Sequence, residues 1–381
     1  MEIHQLLSLF NSVKSEQLYG RYVTNSHIEG CFSGLPDSCI SVIGYSVERR
    51  PIYSITMGEG PNRILMWSQM HGNESTTTKA LFDCFNLLLR DDNYFRTILK
   101  QCTLCVIPIL NPDGAEKYTR FNANSVDLNR DAQNLSQPES RLLREVYENF
   151  NPDYCFNLHG QRSIFGAGHN GSVATLSFLS PSQDEERSLT PNRKKAMALI
   201  SRIALELKDV LPHGIGRYDD GFNINCVGDT FQSLGTPTLL YEAGHFQEDY
   251  DREEVRRFVF LALVKGIEAI ANSYEVDLFK SYFEIPNNVK NYRDLAITNA
   301  ITAKDQVETL TIVFQFKEVL KRGKIEFKPV VESIFESTDL KFHKTINANG
   351  QLVRTIDNKE IQVGYENDFV LINNKKTALN P

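Results

Sequence analysis

The sequence has no apolar run near the roughly 20 residues that a membrane-spanning helix needs, so no membrane span is expected. It also lacks a basic block. With 41 Lys and Arg against 48 Asp and Glu, the formal net charge is −7, and nucleic acid is not an expected partner. Residues 1–15 lack the basic start and apolar centre of a secretory signal, so a cytoplasmic location is expected. Cysteine is sparse and odd in number. The seven residues are scattered through mostly apolar stretches, which excludes a full disulfide framework and fits reduced core thiols. Cys102 and Cys105 form a C-x-x-C, but an odd separation on a strand puts the two thiols on opposite faces, so they read as packing residues. Internal repeats and low-complexity tracts are absent.

What is present is a chain of 381 residues, 41% of them hydrophobic, enough for a large core. Residues 40–47 and 51–57 alternate and read as an antiparallel pair at a sheet edge. Buried strands are expected at 63–69, 103–110, 154–158 and 236–241. Helices are expected at 76–89, 139–149, 193–211 and 251–271, with Leu81, Phe82, Phe85, Leu88 and Leu89 on one core face. Strands alternating with helices imply an α/β fold, a sheet covered on both faces. After about Tyr274 the runs become short and β-like, at 310–316, 324–331, 352–356 and 369–372. The expected division is therefore a catalytic domain over 1–275 and a small β-rich appendage over 276–381.

Four of the expected strands end in reactive groups. The first delivers His71 and Glu74. The second ends in Asn111-Pro112-Asp113-Gly114 and leads to Arg120, Asn129 and Arg130. The third ends at His159 and the fourth at Glu242. Open α/β sheets bind ligands beyond the carboxyl ends of their strands. A His-x-x-Glu pair alone is common, but random surface residues would not all collect at this one position. Gly72, Gly160 and Gly244 stand within two residues of these ends, where they are expected to let the backbone turn out of the sheet.

The chemistry that such a set supports is metal-assisted hydrolysis. His71, Glu74 and His159 have the donor types of a catalytic zinc site, three protein ligands with one position left open. Bound zinc acidifies water toward neutrality. A carboxylate outside the metal shell must accept the proton, and Glu242 is placed for it. Arg120 offers a fixed positive donor to a developing oxyanion. Asn129 and Arg130 offer an amide and a guanidinium fork to a substrate carboxylate.

Taken in order, His71-x-x-Glu74, Asn111-Pro112-Asp113-Gly114, Asp127-Leu128-Asn129-Arg130, His159 after an apolar strand, and Glu242 ending Pro237-Thr238-Leu239-Leu240-Tyr241 resemble the motifs of the zinc metallocarboxypeptidase (funnelin) family, in a non-secreted bacterial-type member. The resemblance covers roughly residues 40–272. It implies an α/β fold with a mixed, mostly parallel sheet of about eight strands flanked by helices. It implies one zinc ion on His71, Glu74 and His159, carbonyl polarisation by Arg120, carboxylate binding by Asn129 and Arg130, and Glu242 as general base. The family often has a mobile Tyr over the substrate about twenty residues before the base. Tyr218 is the candidate here, with Phe222 competing.

The residues after His159 and after Glu242 differ from those of the digestive members, as does the shorter spacing between Glu74 and His159. These departures bear on the substrate pocket more than on the metal site. Two substrate classes follow, both with a free carboxylate: peptides trimmed at the C-terminus, or N-acyl amino acids, as in zinc deacylases of the succinylglutamate desuccinylase and aspartoacylase type. The Asn-Pro-Asp-Gly turn and the Leu-Leu-Tyr-Glu strand favour the peptidase. His245, Phe258 and Phe260 read as structural. The sequence specifies no oligomeric state.

Overall fold

The computed structural model describes residues 1–169, 171–303 and 305–381. Its central strands are apolar at nearly every position because both faces of the sheet are covered. Along Asn62–Ser68, Ile64 and Met66 enter one hydrophobic core while Leu65 and Trp67 enter the other. The same alternation sends Cys102 to the first core and Cys105 to the second, as their odd separation requires. Helices Ile3–Val13, Thr76–Leu88, Pro191–Leu207 and Glu253–Asn272 cover the first face. Pro138–Phe150 and Val227–Ser233 cover the second. Phe258 and Phe260 are buried on the last long helix, as expected.

The main sheet has eight strands in the order 40–45, 51–57, 102–107, 62–68, 154–160, 238–243, 176–179, 215–217. The four central strands run parallel. The 40–45 hairpin strand closes one edge, and the antiparallel 176–179 strand leads to the other. This is the mixed, mostly parallel sheet between helices that the resemblance implied. The carboxyl ends of 62–68, 154–160 and 238–243 lie side by side, which is what gathers the reactive groups.

Several short elements escape the sequence pattern. Helix Asn93–Gln101 buries only Phe95 and Ile98, three residues apart, so its composition is mostly polar. Asn25–Cys31 is a further short helix, with only Ile28 buried. Leu176–Leu179 and Ile215–Arg217 are strands of four and three residues, too short to show a period. Asn111 opens a helical segment, Pro112–Lys117, rather than a simple turn, with its side chain accepting from the Gly114 N–H at 2.8 Å.

From residue 276 a 3-10 segment, Val276–Glu284, precedes strand 288–289, which pairs with 166–167, and then two larger sheets. One has four strands in the order 324–335, 310–321, 292–300, 341–347, and the other three in the order 353–354, 369–372, 375–378. They share one apolar cluster that includes Leu295, Phe314, Val331 and Val370. Strands Tyr292–Ala300 and Lys341–Asn347 were not expected. Arg293, Asp294, Lys341, His343 and Lys344 mask their pattern, and Asp294 is nevertheless buried, bonded by Tyr250 Oη and the Phe316 N–H.

Candidate active site

The loop that carries His71 and Glu74 is held from three sides. Ser68 Oγ bonds the Thr77 and Thr78 hydroxyls at 2.7 and 2.8 Å, joining the strand end to the next helix. Gln69 takes a left-handed φ of 44°, and its buried amide donates to the carbonyls of Val23 and Gly72. That backbone conformation costs about 1 kcal/mol or more for a residue with a side chain. The Asn111 Nδ2 donates to the Met70 carbonyl. Asp113, fully buried, accepts from Ser46 Oγ and the Glu48 N–H and pairs with Arg50, so it anchors the edge hairpin instead of reaching substrate.

The glycines act differently from the expectation. None of Gly72, Gly160 and Gly244 has a left-handed φ. A Cβ on Gly72 would lie 2.0 Å from the Gly114 backbone, and one on Gly244 would lie 1.9 Å from the Ala174 carbonyl. Gly72 and Gly244 serve close backbone approach, Gly160 is not required for it, and the left-handed turn falls on Gln69.

The expected triad converges. His71 Nδ1 lies 2.8 Å from Glu74 Oε1, His159 Nδ1 lies 3.0 Å from Glu74 Oε2, and the two Nδ1 atoms are 3.1 Å apart. One ligand atom from each of the three residues fits within a 4.8 Å span. Sheet register places the rest. His159 and Glu242 are direct partners on adjacent parallel strands. Glu242 Oε2 is shut off from solvent and has no hydrogen-bond partner. Burial, and then the neighbouring Glu74 charge, push its carboxyl well above the usual range.

Asp127 is the residue that sequence reasoning missed, although it stood in the quoted Asp-Leu-Asn-Arg motif. Its Oδ1 accepts from His71 Nε2 at 3.1 Å and from the Asn129 N–H at 2.9 Å. This fixes the imidazole so that Nδ1 faces Glu74, the usual service of a carboxylate behind a metal-binding His. Arg120 reaches the same group, with Nε 3.0 Å from Asp127 Oδ2 and Nη1 3.2 Å from His71 Nδ1. Burial works against charge at His71, but Glu74 and Asp127 outweigh it and hold the ring up to about 9. Burial alone would raise Glu74, yet the two imidazoles keep it far below the ordinary carboxylate range.

The remaining expected residues line the same cleft, whose volume is about 670 Å³. Asn129 is partly committed, because its Oδ1 accepts from the Val227 N–H at 3.0 Å. Arg130 is exposed beside it and donates to the Asn129 carbonyl. Tyr218 packs on Phe165 with ring centres 5.4 Å apart, and burial followed by the charges of Glu242 and Glu74 raises its hydroxyl. His245 is not part of the triad and packs with its ring tilted against His343, the ring centres 4.2 Å apart.

Two further buried polar residues face the end of the cleft near Arg130. Asn157 is 1% exposed and neither amide atom has a partner. Asp229 is 7% exposed and accepts only a long bond from the Asn223 N–H. Burial raises the Asp229 carboxyl from 3.8 to about 6. A carboxyl raised on folding stabilises the fold at low pH, and that contribution is lost as pH climbs from about 4 through about 6. Asp229→Asn is therefore expected to stabilise the protein by about 2 kcal/mol at pH 8. The gain should shrink at pH 5. Urea midpoints equal to wild type at both values would count against the buried-charge account.

A family model described as zinc carboxypeptidase covers residues 34–261, more than half of the chain. The chain belongs to the zinc carboxypeptidase family. Among curated relatives, carboxypeptidase SOL1 of Arabidopsis thaliana is 26% identical over 210 residues, 48% of this chain and 42% of that protein. The chain thus spans under half the length of that relative. Among solved folds, the metallo-carboxypeptidase from Burkholderia cenocepacia superposes with a TM-score of 0.51 at 16% identity, covering 66% of this chain and 70% of the other. Carboxypeptidase A from Helicoverpa armigera gives 0.50 at 16% identity, over 71% and 80% of the two chains.

Proposed function

We propose that the chain is a zinc-dependent carboxypeptidase that removes the C-terminal residue of a peptide, with Glu242 as general base. The observation that supports it is the convergence of His71, Glu74 and His159 with Glu242 one register step across the sheet. The donor set fits a cation. Asp127 accepts the His71 Nε2–H, so when a binding cation displaces the other ring proton the Nδ1 lone pair faces Glu74 Oε1. His159 Nδ1 points at the same carboxylate, while its Nε2 is buried without a partner. Lone pairs and carboxylate oxygens crowd one point, which a divalent ion would satisfy.

When bound there, the ion supplies Lewis-acid polarisation and acidifies water. The protein's own residues divide the remaining work. Asn129 and Arg130 hold the terminal carboxylate, the guanidinium forming charge-assisted bonds. Arg120, freed from His71, donates to the scissile carbonyl oxygen as it gains charge. Glu242 takes the proton from the attacking water at Oε2 and delivers it to the departing amine. Its raised affinity for a proton suits that relay. Tyr218, beside Phe165, closes over the released residue.

The direct test is mass spectrometry of a peptide mixture and a set of N-acyl amino acids incubated with purified protein and zinc. Loss of single C-terminal residues, stopped by a chelator and restored by zinc, is the expected result. Release of amines from the acyl amino acids alone would replace this reading with a deacylase.

A further inference from the structure

The cleft extends well past the group that would hold a terminal carboxylate. Besides Arg130 and Asp229, its lining includes Arg21, Arg162, Arg252 and Lys290, together with the carboxylates of Asp219 and Glu318. Glu318 is already engaged: Arg21 pairs with it at 2.9 Å and Tyr118 Oη donates to it. Arg252 is 3% exposed and spends its Nη groups on the carbonyls of Ala243 and Gln161, each at 2.6 Å. Its Nε is buried without a partner. Among the described residues, no carboxylate lies within ion-pair distance of Arg252, Arg162 or Lys290, and the Lys290 ammonium instead lies 6.0 Å from the Phe165 ring centre. Arg162 and Lys290 thus line the cleft exposed and without an ion pair among the described residues, while buried Arg252 feels Glu318 and Asp249 only at longer range. Burying the Arg252 guanidinium without a directly paired carboxylate is costly, and a ligand carboxylate would offset that cost.

The wall is also rigid. The loop that carries Arg162 is pinned by residues from beyond 276. His343 Nε2 bonds the Ser163 carbonyl at 2.8 Å, Gln315 donates to Ser163 Oγ at 3.1 Å, and Asn288 donates to Gln161 Oε1 at 2.9 Å. The Tyr292 N–H bonds the Ile164 carbonyl at 3.1 Å. Loops are usually the mobile part of a site, whereas this one is strapped to the C-terminal sheet.

We propose that this wall, completed by the C-terminal sheet, is a subsite for a carboxylate-bearing group on the acyl side of the scissile bond. The inference rests on the carboxypeptidase reading, which sets the direction of the chain. With the terminal carboxylate at Asn129 and Arg130 and the scissile bond over the triad, the acyl portion runs toward Arg162 and Arg252. The substrate class is then a short peptide with an acidic residue within two positions of the bond that is cut.

The experiment uses three N-acetylated peptides that share one C-terminal residue and differ only in Glu, Gln or Lys at the preceding position, with a second series varied one position earlier. Turnover is measured with wild-type enzyme, and affinity by calorimetry on the Glu242→Gln protein. In at least one series the Glu peptide is expected to exceed the Gln peptide by about tenfold in kcat/KM and in affinity. The Lys peptide should be poorer still, and the preference should fall with added salt. The ratio should approach one in the Arg162→Gln, Lys290→Gln double variant. Equal or reversed preference in both series overturns the subsite and leaves the carboxypeptidase reading intact. No turnover of any peptide overturns that reading, and the affinity series then still decides the subsite.

Discussion

Glu242→Gln should lower turnover by about 100-fold to 10,000-fold while leaving zinc bound. A carboxamide keeps the shape of the side chain but accepts no proton at neutral pH. The loss corresponds to about 3–5 kcal/mol of transition-state stabilisation. Zinc content should be unchanged, because the triad is His71, Glu74 and His159, and Glu242 lies one strand away from it. His159→Ala is the contrasting variant. It removes a donor atom from the 4.8 Å cluster, so metal and activity should disappear together. Metal analysis of both proteins, alongside the peptide assay, separates the two roles. Near wild-type turnover in Glu242→Gln would take that residue out of the chemistry, and full zinc occupancy in His159→Ala would break the triad.

Asp83→Ala should be the most destabilising single change, at about 3–5 kcal/mol. Asp83 and Arg256 are both fully buried and form a two-pronged pair, with Nε to Oδ2 and Nη2 to Oδ1 both at 2.6 Å. Asp83 Oδ1 also accepts from the Ser15 N–H, and Arg256 donates to the carbonyls of Ser15 and Leu18. The pair therefore ties the segment after the first helix to the two long core helices. Removing the carboxylate leaves the buried guanidinium with only the partly exposed Glu253, 3.1 Å away, as a counter-ion. Replacing both partners, as Asp83→Leu with Arg256→Met, should cost far less than the single change, because no orphan charge remains. Denaturant unfolding of the three proteins checks the order, and an equal loss in the single and double variants would contradict it. The same segment carries Arg21 into the cleft, so the single variant should also weaken binding of the Glu peptides.

The parts of the site legible in the sequence were those in which strand ends coincide with reactive side chains. His71, His159 and Glu242 are far apart in the chain, yet each ends an apolar run, and parallel strands with aligned ends bring such positions together. Asp127 was harder to read. Its neighbours Arg120 and Arg130 offered it obvious ion partners, and only coordinates show that His71 Nε2 claims it. Asn157 gave no signal, since a strand Asn looks like an ordinary surface residue until its burial is known. The C-terminal sheets were under-read for a related reason. Asp294 sits in a strand whose neighbours include charged residues, and tertiary hydrogen bonds, which leave no pattern, make its burial tolerable. The contribution of Glu318 and Phe316 to the cleft, from a segment read as an appendage, was equally invisible.

The ladder rung that joins His159 to Glu242 restricts how this protein can vary. Side chains alternate across a strand, so deleting one residue from 154–158 or from 238–241 would turn one of the pair to the far side of the sheet. Insertions and deletions of single residues should therefore be absent from those two stretches in any working descendant, while the segments that bypass the sheet remain free to lengthen.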